Sequence, residues 1–201
     1  MVSKNGCFIV FEGIDGSGKS TQISLLKEHI EEHSINCMTT MEPSNGPIGT
    51  LLRQFLSGRI KGEETTLTAL FAADRLDHLN NPVNGIRKLL EDGIAVISDR
   101  YVFSNYAYQS VSVPLEWIMK CNEMANETVR PDCHIFIDVA PETAMDRVSK
   151  GRHQTDIYET LDRLTDVRER YLDLIHRMED VENIIIIDGN RPEKEIADDI
   201  W

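Results

Sequence analysis

Three features of the 201-residue sequence predict a doubly wound α/β fold, a parallel five-stranded sheet with helices on both faces. Short apolar runs at 7–11, 37–41, 94–98, 134–138 and 184–188 alternate with helix-like stretches from one end to the other. The runs are rich in β-branched residues and continuously apolar, the mark of strands covered on both faces. A glycine-rich turn, 13–18, joins the first run to the first helix.

Each further element carries its own signal. Ile23, Leu26 and Ile30 recur at i, i+3 and i+7, so the first helix buries one face. Leu67, Leu70 and Phe71 share the face of another helix, and 159–178 reads as a long, heavily charged one. Pro82, Pro114, Pro131, Pro141 and Pro192 punctuate helix entrances and exits, with a last helix expected over 192–201. No repeat, low-complexity linker or composition break divides the chain, so one domain over 1–201 is expected.

Composition narrows the partners. A formal net charge of -13 argues against a protein that coats nucleic acid, since phosphate backbones bind basic surfaces. A small phosphate ligand still fits if cations gather in one cleft. The longest apolar runs, such as 184–187, are too short to span a bilayer, and the N-terminus lacks the shape of a signal peptide. Cys7, Cys37, Cys121 and Cys133 show no C-x-x-C spacing; three lie in or beside expected strands and read as buried thiols. No membrane partner is expected, and the expected compartment is the cytoplasm.

The chemistry begins at Gly13-Ile14-Asp15-Gly16-Ser17-Gly18-Lys19-Ser20, which fits G-x-x-x-x-G-K-[ST] between a strand and the helix that Thr21 enters. Glycines let backbone N–H groups turn inward onto phosphate oxygens, and the helix N-terminus adds its positive end. Lys19 would place a charge on the β- and γ-phosphates of a nucleotide, and the Ser20 hydroxyl can hold Mg²⁺. Asp99 closes the third run, at the sheet edge where a carboxylate stands near such a metal. Asp138 and Asp188 also end runs and read as turn formers.

The segments around these residues resemble the thymidylate kinase family, and the likeness runs through most of the chain. Phe11-Glu12-Gly13-Ile14-Asp15-Gly16-Ser17-Gly18-Lys19-Ser20-Thr21 is similar to that family's P-loop, which implies a P-loop nucleoside monophosphate kinase-like fold. The resemblance makes Asp15 a partner of the acceptor's 3′-hydroxyl. Glu42-Pro43, then Gly46-Pro47-Ile48-Gly49 and Leu52-Arg53, resembles the acidic-proline loop and implies that Arg53 binds the dTMP phosphate. Phe71-Ala72-Ala73-Asp74-Arg75 resembles the aromatic–small–small–x–Arg segment; Phe71 and Arg75, a helical turn apart, would stack on the pyrimidine and bond its O4 edge. Asp99-Arg100-Tyr101 with Ser104, Asn105, Tyr108 and Gln109 resembles the D-R-[YH] segment. By that likeness Asp99 holds Mg²⁺, Arg100 clamps a phosphate, Asn105 addresses the base and Tyr108 crowds the sugar 2′ position. Arg130-Pro131-Asp132 is similar to a structural [KR]-P-D step.

Members of the family carry a catalytic cation either in the P-loop or in a lid. Gly16 leaves this P-loop without an arginine, so the expected lid, about 148–160, would supply it through Arg152. Asp156-Ile157-Tyr158-Glu159 follows, with isoleucine where the family has arginine, and Tyr158 joins the expected substrate contacts. Arg147, one turn earlier, could share that work or be a solvated helix cation, and the second reading is the one expected. The resemblance implies transfer of the γ-phosphoryl of ATP to dTMP, with Mg²⁺, in a homodimer. Three rivals stand beside it: a P-loop kinase for another nucleotide or a small metabolite, a GTP-binding switch, and a nucleotide sensor without turnover. The switch is disfavoured, because its guanine-reading Asn-Lys-x-Asp element has no counterpart here.

Overall fold

The computed structural model describes residues 5–151, 158 and 160–201. Its strands are β1 (Phe8–Glu12), β2 (Cys37–Met41), β3 (Ala95–Asp99), β4 (Cys133–Asp138) and β5 (Ile184–Asp188). The first helices are α1 (Lys19–Glu32), α2 (Pro47–Leu56), α3 (Glu64–Asn80), α4 (Ile86–Glu91) and α5 (Val102–Gln109). Then come α6 (Leu115–Thr128), α7 (Pro141–Gly151), α8 (Leu161–Met178) and α9 (Glu193–Ile200).

The strands form one parallel sheet in the order β2-β3-β1-β4-β5, as the alternating pattern predicts. From β1 the chain first builds toward β3 and β2, then toward β4 and β5. The two directions part beside the carboxyl end of β1, and an open sheet forms its ligand crevice at such a switch point. Phe8, Val10, Phe11, Val96, Ile97, Phe136 and Ile137 fill the centre of the sheet. Their burial fixes the strand ends that present Glu12, Asp99 and Asp138.

Two expectations need correction. Continuous apolar sequence does not mean cover on both faces in the edge strands. Ile185 and Ile186 of β5 are exposed, as are Met38 and Met41 of β2, because an edge strand has a neighbour on one side only. The cysteines are not mostly buried: Cys37 is, Cys121 and Cys133 are half-buried, and Cys7, ahead of β1, is exposed. Asp138 does more than turn the chain, since it takes Nε and Nη2 of Arg168 at 2.7 and 2.9 Å. Asp188 does cap its turn, accepting the Asn190 N–H at 2.9 Å.

α8 deserves its length. Leu164, Val167, Tyr171, Leu174 and Ile175 recur along one buried stripe, and the Thr160 hydroxyl caps its start by accepting from the Arg163 N–H. That stripe carries Tyr171 into the centre of the molecule. Among the described residues no helix is long and apolar enough to cross a membrane.

Candidate active site

The loop after β1 turns under α7 before entering α1. Gly16 has φ +80°, and a Cβ there would lie 2.3 Å from the Ala144 carbonyl oxygen, so the fold itself excludes an arginine at this position. Lys19 is buried and its ammonium donates to the carbonyls of Gly13 and Ile14, each at 3.1 Å. Burial and the nearby Arg100 lower its pKa to about 8, although Asp99, Asp15 and Glu12 hold it up.

Ser20 donates to Asp99 Oδ2 at 3.2 Å, while Asp99 Oδ1 is buried without a hydrogen-bond partner among the described residues. A hydroxyl beside an unsatisfied carboxylate oxygen is a donor set that suits Mg²⁺, a hard cation that takes few protein ligands and completes its shell with phosphate and water. Arg147 is not the solvated helix cation expected. Its Nη1 reaches the carbonyls of Gly16 and Ser17 at 3.5 and 3.4 Å, and Nη2 that of Gly189 at 3.0 Å. Packing of α7 on the P-loop folds the side chain inward, onto the wall of a cavity of about 630 Å³.

A second cavity, about 290 Å³, opens beside the first. Arg100 stands at its mouth with φ +75°, a left-handed conformation uncommon outside glycine. This turn aims Nη1 at the Gly13 carbonyl and Ser104, both at 3.0 Å, and Nη2 at Asp15 at 2.7 Å and Tyr108 at 3.1 Å. Burial works against the Asp15 carboxylate, but the charges of Arg100 and Lys19 and the Tyr108 hydrogen bond outweigh it and bring the pKa to about 2. Glu12, fully buried beneath, accepts from Ser104 at 2.6 Å and Tyr171 at 2.9 Å; burial raises its pKa against those bonds.

The far wall is a polar network around Arg75. Its Nε donates to Glu42 at 2.8 Å, Nη2 meets Glu42 at 2.6 Å and the Tyr101 carbonyl at 3.2 Å, and Nη1 reaches Asn122 and Asn105. Four of its five N–H groups are thereby hydrogen-bonded within the protein, and the Nη2 contact adds the ion pair with Glu42. Arg53 donates to the carbonyls of Pro43 and Ser44 at 3.0 and 2.8 Å, and Phe71 lines the cavity above the core.

The two cavities share Asp15, Met41, Glu42 and Arg100, so they form one continuous cleft along the carboxyl edge of the sheet. The family model for thymidylate kinase matches residues 11–200. The chain belongs to the thymidylate kinase family.

Curated relatives agree. A thymidylate kinase of Symbiobacterium thermophilum is 38% identical over 202 residues, covering 96% of this chain and 90% of that one. A probable thymidylate kinase of Methanococcus aeolicus is 37% identical over 197 residues, covering 96% and 93%.

The family-derived residues fall into the two cavities. Gly16, Gly18, Lys19, Ser20, Thr21 and Asp99 line the first. Pro43, Arg53, Phe71, Arg75, Ser104, Asn105, Tyr108, Gln109 and Tyr158 line the second, and Asp15, Glu42 and Arg100 lie in both. Gly13 and Ser17 shape the loop behind them, the Ser17 hydroxyl being buried without a hydrogen-bond partner among the described residues. Arg152, Asp156, Ile157 and Glu159 lie outside the described residues. Sequence reasoning assigned no role to Glu64, Asn122, Arg163 or Tyr171, each of which holds a site residue. Spacing could have offered Tyr171, on the buried stripe of α8; the others give no local signal.

Proposed function

We propose that this protein transfers the γ-phosphoryl group of ATP to dTMP, giving ADP and dTDP. The observation that carries the reading is the joined cleft: a P-loop cradle and an aromatic-lined cavity meet at Asp15 and Arg100. A bisubstrate phosphotransferase needs this layout, since catalysis is mainly in-line positioning and charge stabilisation. A GTP switch or a sensor needs no second cavity abutting the phosphates.

Lys19 and the loop N–H groups hold the ATP phosphates. Ser20 and Asp99 would hold Mg²⁺, which when bound neutralises charge on the β- and γ-phosphates. Arg53 and Arg100 receive the acceptor phosphate, and Asp15 the 3′-hydroxyl. Phe71 stacks on the thymine, and the Tyr108 ring faces the sugar. The Tyr108 hydroxyl donates to Asp15 at 2.8 Å, so the ring is pinned where a ribose 2′-hydroxyl would crowd it. Asn105 and Gln109 address the base edge. Arg75 already spends its donors on the protein, so bonding O4 requires one of them to change partner.

The same reading makes the chain a single kinase domain with a lid at about 148–160, whose Arg152 adds a cation over the phosphates. Arg147, already against the P-loop, shares that task. We also infer a homodimer. Trp117, Cys121 and Met124 recur at i, i+4 and i+7 on α6, with Trp117 41% and Met124 66% exposed, an apolar stripe that a second copy would cover.

The test is an ADP-release assay with ATP, Mg²⁺ and a panel of nucleoside monophosphates. dTMP should give the highest kcat/KM, above its ribose counterpart, and Lys19→Ala should abolish turnover while the protein stays folded. Near wild-type turnover by Lys19→Ala, or preference for another monophosphate, overturns the reading.

A further inference from the structure

The amides that face the acceptor cavity belong to one chain of hydrogen bonds with a fixed direction. At one end, Arg75, which can only donate, donates to Asn122 Oδ1. The Asn122 amide nitrogen must therefore donate onward, and it does, to the Ile118 carbonyl at 2.8 Å and to Asn105 Oδ1 at 2.9 Å. Asn105 Nδ2 donates to Gln109 Oε1 at 3.0 Å, and Gln109 Nε2 donates to the Tyr158 hydroxyl at 3.1 Å. That hydroxyl donates to Glu64, at 2.9 and 3.2 Å from its two carboxylate oxygens. A carboxylate only accepts, so Glu64 closes the chain with a polarity that agrees with Arg75. Asn105, Gln109, Asn122 and Tyr158 are all buried.

Arg163 supports the far end. Its guanidinium lies 4.9 Å from the centre of the Tyr158 ring and donates to the Tyr108 carbonyl at 2.7 Å. Burial and the Glu64 charge raise the Tyr158 pKa, so the hydroxyl keeps its proton.

Amide orientation decides what the cavity asks of a base, because a turned amide exchanges donor for acceptor. We propose that Glu64 is a specificity-determining positioning residue, which acts through Tyr158 to hold the Gln109 and Asn105 amides in the orientation that reads the pyrimidine edge. This rests on dTMP as the acceptor. With Glu64 in place, turning the Gln109 amide breaks a bond on each side; with a neutral amide at position 64, the Tyr158 hydroxyl can reverse and only the Asn105 bond resists.

Cytosine tests this, since it presents the opposite donor and acceptor pattern to thymine at ring positions 3 and 4. The experiment measures equilibrium binding of dTMP and dCMP to the full chain and its variants, alongside dTMP turnover. Glu64→Gln should narrow the dTMP-over-dCMP affinity ratio by about tenfold, a loss on the scale of one hydrogen bond, with saturating kcat for dTMP changed by less than about threefold. Tyr158→Phe, which breaks the chain at its next link, should narrow the ratio similarly, and Glu64→Asp should largely restore it. Equal weakening of both nucleotides, or an unchanged ratio in Glu64→Gln and Tyr158→Phe, overturns the proposal. Failure of the wild-type chain to turn over dTMP would instead strike the functional reading, so the two failures are separable.

Discussion

Lys19 is held between opposing demands: burial disfavours its charge, and the carboxylates around it restore part of what burial removes. The outcome, a pKa of about 8 without nucleotide, gives a pH dependence whose sign can be worked out. Bound phosphates favour the ammonium, so the ATP complex has the higher Lys19 pKa. Affinity should then be full below pH about 8 and fall above it, by as much as about tenfold per pH unit, until the complex itself loses the proton. Isothermal titration of ATP between pH 7 and 9.5 checks this; a flat affinity up to pH 9.5 refutes it. Arg100 shows the same economy. Its left-handed backbone brings one guanidinium to Asp15, Tyr108 and Ser104, and so to both cavities.

At the scale of elements, α3 presents two residues a turn apart whose substitutions should differ in kind. Phe71 is only partly buried, so Phe71→Ala should weaken dTMP binding by about ten- to a hundredfold, from ~1–3 kcal/mol of base stacking, and leave ATP affinity intact. Competition titrations with each nucleotide measure it, and loss of both affinities would make the helix merely structural. Arg75→Ala would instead take the guanidinium from buried Glu42 and leave it only His78, 3.3 Å away, so it should also destabilise the fold. β4 carries a different kind of strain. His134 is buried flat against Phe103, ring centres 4.3 Å apart, and neither ring nitrogen has a hydrogen-bond partner among the described residues. Glu182, itself paired with Arg130, stays 4.0 Å away, too far to bond. Burial lowers the His134 pKa to about 4, against about 6.5 in an unfolded chain. The unfolded state therefore binds the extra proton, and stability is lost as pH falls from about 6.5 toward about 4. Urea unfolding of His134→Phe should show a shallower loss over that window than wild type. Parallel pH profiles would contradict this.

The molecule as a whole is strongly acidic, with a net charge of -13, yet its cleft gathers Lys19, Arg53, Arg75, Arg100 and Arg147. The five cations outnumber Asp15, Glu42 and Asp99 in that one region, which suits a small phosphate ligand over a polyanion. The apolar stripe on α6 makes the oligomer testable. Trp117→Glu with Met124→Glu should shift the assembly from dimer to monomer in sedimentation velocity, with circular dichroism unchanged. A wild-type chain that sediments as a monomer at micromolar concentration excludes the α6 interface.

Much of this was legible in the residues themselves. Apolar runs and 3.6-residue stripes set the order of strands and helices, because burial demands of an element are written locally. The P-loop was legible for the same reason: glycines, lysine and serine act within eight consecutive positions. Resemblance extended that reading to Arg53, Phe71, Arg75 and the Asp99–Gln109 segment. What only the tertiary structure decided involves groups distant in the chain. Arg147 touches Gly16 across 131 positions, and the Tyr158 hydroxyl reaches Glu64 across 94. No periodicity encodes such partners. The exposure of Ile185 and Ile186 was hidden similarly, since a strand's sequence does not say whether it lies at an edge. Local pattern fixes what each segment must bury; the sheet order fixes which side chains then meet, and the buried charges and hydrogen bonds of the cleft exist only once they do.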